Sequence, residues 1–206
     1  MGFLSAGASF VRYRVIDEIP KGLWPQVSDL LQEHGFQDID HSSEERSFGW
    51  VSIDNMLDTA WNSAPVHKGE FLAFALRVDT RRISPAVFKK HYQQAFEELT
   101  ARVKEQGKKF IGREQKQELR EQVRLRLLTR TLPVPAVFDV VWNPRTNQVL
   151  FASTQDKMRL LFEDLFTLTF KLHLEPLNPF FLAWERLQEE DKRRHLNEYE
   201  PVLFTV

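Results

Sequence analysis

The 206-residue chain contains no cysteine. Disulfides, thiolate zinc sites, iron–sulfur clusters and cysteine nucleophiles are therefore excluded together. It has no uninterrupted apolar run of the length a membrane span needs. The opening "MGFLSAGASFVRYRV" lacks the basic-then-apolar pattern of a secretion signal. The expected setting is the cytoplasm, with no membrane contact. No GxxxxGK[ST], GxGxxG or GxSxG occurs, and none of the six histidines pairs with another at metal-ligand spacing. The expectation is thus no cofactor, no metal and no catalytic residue. Net charge is also nearly absent: the sum is −1 and the pI about 6.6. A histone-like coat of positive charge is excluded, so any polyanion binding must come from segregated charge.

Apolar residues are ample at 42%, with 17 phenylalanines, enough to pack a core without covalent staples. "SFVRYRVI" alternates Val11, Tyr13 and Val15 with arginines and reads as a strand. Leu23, Val27, Leu30 and Leu31 recur at helical spacing before Gly35. "RSFGWVSI" is a second strand, and "EFLAFALRV" sets Leu72, Phe74, Leu76 and Val78 on one strand face. The clearest helix follows. Ser84 stands at its N-cap, Pro85 at the first helical position, and Gly107 beyond the end. Its apolar stripe is Phe88, Tyr92, Ala95, Phe96, Leu99 and Val103. "VFDVVW" and "QVLFAS" around "NPRTN" form a β-hairpin. Ser153 or Thr154 then caps a helix with Met158, Leu161, Phe162, Leu165 and Phe166 inward. Strands and helices interleave without a βαβ rhythm, which gives an α+β class with antiparallel-rich sheet. Residues 1–180 form the core, with the helical pair of residues 84–130 projecting, and 181–206 form a charged tail.

Charge is concentrated in "KKFIGREQKQELREQVRLRLLTR". Lys108–Arg130 carries eight basic residues against three acidic ones, a local excess of five in a chain that sums to −1. On a helical wheel Arg113, Lys116, Arg120 and Arg124 share a narrow sector. Glu114, Glu118 and Glu121 gather elsewhere, and Leu119, Val123 and Leu127 make the apolar stripe. A solvated helix usually sets Glu four residues before Lys or Arg, worth about 0.2–0.5 kcal/mol per pair. Here Lys116–Arg120, Arg120–Arg124 and Glu114–Glu118 are like-charged at that spacing. Lys108, Lys109 and Arg113 put further cations at the helix start, where the dipole disfavours them. Either this face tracks a phosphate backbone, or its arginines pair with acids elsewhere in the chain. The pattern does not choose between them. Arg82, Lys89 and Lys90, around the start of the preceding helix, form a second tier.

Two other constellations invite chemistry. "DIDHSSEE" clusters Asp38, Asp40, His41, Glu44 and Glu45, oxygens a divalent ion could use, or a polar loop. Asp139 is a carboxylate inside an apolar strand, which burial makes unfavourable unless it is paired. A metal nuclease would need a second acid and a lysine beside it, and the hairpin supplies no such motif.

Several landmarks in order, "GWV" (Gly49–Val51), "REQKQELREQV" (Arg113–Val123), "LLTR" (Leu127–Arg130) and "FASTQDKMRLLFEDL" (Phe151–Leu165), resemble the recombination-associated RdgC family. The resemblance covers most of residues 9–180. It implies a non-enzymatic protein that binds duplex DNA with little regard to sequence, as a ring-shaped homodimer in the cytoplasmic nucleoid. Such a protein opposes loading of the strand-exchange recombinase by occupying DNA. Lys108, Lys109, Arg113, Lys116, Arg120 and Arg124 would contact phosphates, and no base readout is expected. Family members are typically longer, with a C-terminal region that helps close the ring. This chain, stopping soon after "EPLNPFFLAWERL", reads as a short form, and an apolar tip of the family falls at about Leu132. The alternative is a protein-interaction module of the same fold that has lost DNA binding and uses Phe180–Phe181 and the charged tail.

Overall fold

The computed structural model describes residues 2–3, 7–105 and 110–199, and among these it forms six helices and a seven-stranded antiparallel sheet. The α+β class is as the sequence predicts. Strand β1 (Val11–Val15) precedes helix α1 (Leu23–Glu33), then β2 (Arg46–Ser52), the short β3 (His67–Lys68) and β4 (Phe71–Thr80). Helices α2 (Pro85–Glu105) and α3 (Arg113–Leu128) follow, then β5 (Val134–Asn143), β6 (Gln148–Phe151), α4 (Asp156–Phe170) and β7 (Leu174–Pro176). The chain goes on through α5 (Pro179–Arg186) and α6 (Glu190–Glu198). The strand order is β2-β4-β5-β6-β1-β7, with β3 on β4. Two compact units divide the chain: Met1–His34, Val51–Leu76 and Phe138–Val206 form one, and Gly35–Trp50 with Arg77–Val137 form the other.

The first unit has an aromatic core. Tyr13 of β1 lies opposite Val149 of β6, and Val149 lies opposite Trp142 of β5. All three are fully buried. Helix α4 covers them because Phe162, Phe166 and Phe170 recur at i, i+4, i+8. Phe162 stacks on Phe151 at 4.2 Å, and Trp142 meets the rings of Phe166, Phe170 and Trp24 edge-on at 5.2–5.3 Å. The β5–β6 hairpin turns where "NPRTN" predicts. Asn143 Oδ1 accepts the amides of Arg145 and Thr146, and Asn147 takes the left-handed conformation asparagine tolerates. The cap of α4 differs from the prediction. Gln155 is the N-cap, Thr154 is exposed, and the Ser153 hydroxyl accepts the Gln155 amide, shaping the loop before the helix. The boundary at residue 181, where the sequence places the start of a charged tail, falls inside α5, and α6 follows within the tail. Phe180 stacks on Trp184, Arg193 lies over Trp184, and α6 buries no residue.

In the second unit Gly49 is required by close approach. A Cβ there would lie 2.5 Å from the backbone of Phe36, whose amide donates to the Trp50 carbonyl at 3.0 Å. The α2–α3 pair packs along the predicted stripes. Val103, Val123, Leu127 and Leu128 are buried, while Phe88, Tyr92, Phe96 and Leu119 are half-buried. Strand β4 departs from a one-faced reading, because Leu72–Asp79 is buried throughout. Its second face carries polar side chains. Arg77 and Asp79 form a bidentate buried pair at 2.8 Å, with the Arg77 guanidinium over the Phe36 ring at 4.1 Å.

Candidate nucleic-acid interface

The geometry of α3 begins at its ends. Gly112 is the N-cap, and its amide donates to the Gln115 side chain at 3.1 Å, satisfying one group the first turn leaves open. At the other end the Leu128 carbonyl accepts from the Arg81 guanidinium at 3.2 Å. Arg81 also donates to the carbonyls of Ile39, at 2.5 Å, Asp40, at 2.9 Å, and Ser42, while its own amide reaches the Glu45 carbonyl at 2.8 Å. One buried arginine thus fastens the loop of residues 39–45 and the last turn of α3 to the end of β4. The sequence reading passed over it. Alternation along β4 puts Arg77, Asp79 and Arg81 on one face, and that was the available signal.

Along α3, Arg113, Lys116, Arg120 and Arg124 are all exposed. Lys116 and Arg120 lie over the rings of Phe96 and Phe88, each at 5.7 Å, so α2 supplies an aromatic flank to the basic face. Phe88, Tyr92 and Phe96 themselves stack in a ladder at 6.1 Å steps. Each cation–ring contact at an exposed site is worth about 0.5–1 kcal/mol, comparable to the like-charge repulsion it accompanies. Arg124 is different. Its guanidinium pairs with Glu45 at 2.6 Å, both side chains about half exposed. Arg113, Lys116 and Arg120 have no ion pair among the described residues.

The remaining candidates fall elsewhere. Lys89 and Lys90 are exposed and line a shallow groove formed by α2 residues alone, including Gln93 and Glu97, with no part of α3 in its wall. Arg82 is exposed just before α2. Lys108 and Lys109 lie outside the described residues, as does Gly107. Phe110, just before α3, is 87% exposed, and Leu132, just after it, is 77% exposed. Between α2, α3 and the loop of residues 39–45 lies a cavity of about 290 Å³, walled by Phe88, Arg120, Arg124 and Glu45.

The acidic constellations resolve into structural contacts. Asp38 Oδ1 accepts the Asp40 amide at 2.6 Å, and Glu45 holds Arg124. Among the described residues no group of three or more His, Asp or Glu side chains is placed to share a metal ion. Asp139 accepts the Phe3 amide at 2.7 Å, and a Cβ on Gly2 would overlap its carboxylate. Burial raises the Asp139 pKa, partly offset by that amide bond. A folded pKa above the unfolded one means stability is greatest with the proton bound and falls as pH rises through the folded pKa. Asp139→Asn keeps the acceptor oxygen without the charge. It is expected to raise the melting temperature at pH 7, with the difference vanishing below the ordinary carboxylate value of 3.8. Thermal denaturation of both proteins across pH 3–8 checks this.

The α+β fold thus presents an exposed cationic helix face flanked by the aromatic rings of α2. The chain is a member of the RdgC family, whose model, described as "Putative exonuclease, RdgC", matches residues 10–180. Comparison with curated protein sequences gives no match.

Proposed function

We propose that this protein binds duplex DNA through its phosphates, without reading sequence and without cutting it. In this reading it acts as a homodimer in the cytoplasmic nucleoid, and its occupancy of DNA opposes loading of the strand-exchange recombinase. The observation that carries the proposal is the row of exposed cations Arg113, Lys116 and Arg120 on one face of α3, which form no ion pair among the described residues. Family membership supports a recombination-related role in the nucleoid, while the exonuclease of the family's description is the activity that the cleavage test below decides. The cations are assigned to phosphates, contacts that position a protein on the duplex without carrying sequence information, so sequence preference is expected to be slight.

The test is duplex affinity across a salt series. Log K is expected to fall linearly with log salt, by about 0.9 per phosphate neutralised. Binding insensitive to salt, or none at low salt, would favour the interaction-module reading based on α5 and α6. Incubation of labelled duplex with magnesium or manganese addresses cutting. No cleavage is expected, and cleavage abolished by Asp139→Asn would establish a nuclease instead.

Glu45 makes this reading more specific. Its carboxylate competes with phosphate for Arg124 from a loop fixed by Arg81. Glu45→Gln is expected to raise duplex affinity several-fold and to steepen the salt slope by up to about 0.9. The same salt titration measures it.

A further inference from the structure

The cavity beside the basic face is not explained by phosphate tracking. A backbone phosphate needs cations on a surface, yet here a concave space lies next to them, with Phe88 and Leu128 as apolar wall. Its volume, about 290 Å³, is at the lower limit of small-ligand sites and suits one nucleotide-sized group. The polar groups are arranged unequally. Arg120, whose guanidinium flanks the Phe88 ring, has no ion pair among the described residues. Arg124 and Glu45 stand joined at 2.6 Å, a donor directly beside an acceptor. Arg81, 4% exposed, also lines the space, and its Nε–H has no acceptor among the described residues.

We propose that this cavity receives a single unpaired nucleotide of DNA, with Arg120 on its phosphate, the base against Phe88, and the Arg124–Glu45 pair on the base edge. The proposal rests on the duplex-binding reading. Every base carries an acceptor next to a donor along its pairing edge, so the Arg124–Glu45 pair suits all four. In a duplex that edge is occupied by the partner strand, and the base is stacked. Only an unpaired nucleotide, at a bulge, mismatch or strand end, enters at small unstacking cost. An apolar ring and a guanidinium are sequence-tolerant surfaces for a base. The protein would then favour irregular positions in otherwise ordinary duplex.

The test compares three fluorescein-labelled duplexes of one sequence: blunt, with a one-nucleotide bulge, and with an abasic bulge. The abasic bulge has the flexibility of the bulge without the base. Wild type is expected to bind the bulged duplex about tenfold tighter than the blunt one, the range base–aromatic stacking supplies. The abasic bulge should bind like the blunt duplex. Phe88→Leu keeps apolar bulk between the two helices and is expected to bring the ratio of bulged to blunt affinity to about one; the ratio is the readout because losing the ring under Arg120 shifts both affinities together. Equal wild-type binding of bulged and blunt duplex overturns the site and leaves the duplex reading intact. Abasic binding equal to the base-bearing bulge, or a preference retained by Phe88→Leu, also overturns it. If no duplex is bound at low salt, both readings fall together.

Discussion

Replacing Arg113, Lys116 and Arg120 together by alanine is expected to make the salt dependence of duplex binding shallower by roughly 2.7 units, at about 0.9 per lost phosphate contact. Extrapolated from 1 M salt, this amounts to a loss of two to three orders of magnitude in affinity near 0.1 M salt. These three are chosen because Arg124 is already engaged. Its pairing with Glu45 means that Arg124→Ala alone removes a cation whose charge is largely compensated, and its effect on slope is expected to be the smaller. The helix should survive the triple change. Alanine has the highest helix propensity, and two of the three substitutions remove like-charged i, i+4 neighbours. Fluorescence anisotropy over at least four salt concentrations, with circular dichroism as the folding control, measures the outcome. An unchanged slope in a folded variant would mean that the α3 face is not the contact surface.

The largest stability effect is expected from Arg81→Met. Methionine fills much the same volume but leaves the carbonyls of Ile39, Asp40, Ser42 and Leu128 without their common donor. Buried acceptors left unsatisfied cost about 1–3 kcal/mol each where water cannot replace the donor. Partial hydration of the exposed loop reduces this to about 3–5 kcal/mol in total. In a chain of this length that is a fall of about 10 °C in melting temperature. Arg81→Lys should recover only part of it, since an ammonium cannot hold four carbonyls in the planar fork of a guanidinium. The neighbouring Arg82 is exposed, and Arg82→Met should leave the melting temperature nearly unchanged. Differential scanning calorimetry of the three variants separates these cases.

The contrast between Arg81 and Arg82 marks where sequence reasoning reaches its limit. Periodicity located the helices and strands well, because Phe88, Tyr92, Phe96, Val103 and Leu119, Val123, Leu127 repeat with the helix and must share a face. It also located the basic face, since wheel position depends only on residue number. It does not say what stands opposite a residue in space. Glu45 lies 79 positions from Arg124, so a single ion pair decides how free that arginine is, and no local pattern announces it. For the same reason Ser153 and Thr154 look like caps from sequence, whereas the path of the chain out of β6 makes Gln155 the cap. Lys89 and Lys90 stand exposed along a groove lined by α2 residues, a placement that residue number alone does not give.

The like-charged rungs of α3 also give salt two opposed roles in this molecule. Screening relieves the repulsion between Lys116, Arg120 and their neighbours, so α3 itself should fray less as ionic strength rises. The same screening weakens any grip on a polyanion. The order of α3 and its binding strength therefore respond in opposite directions along one axis. A bound phosphate backbone would take over the work that dissolved counterions do in its absence, making the ligand itself part of what keeps the helix formed.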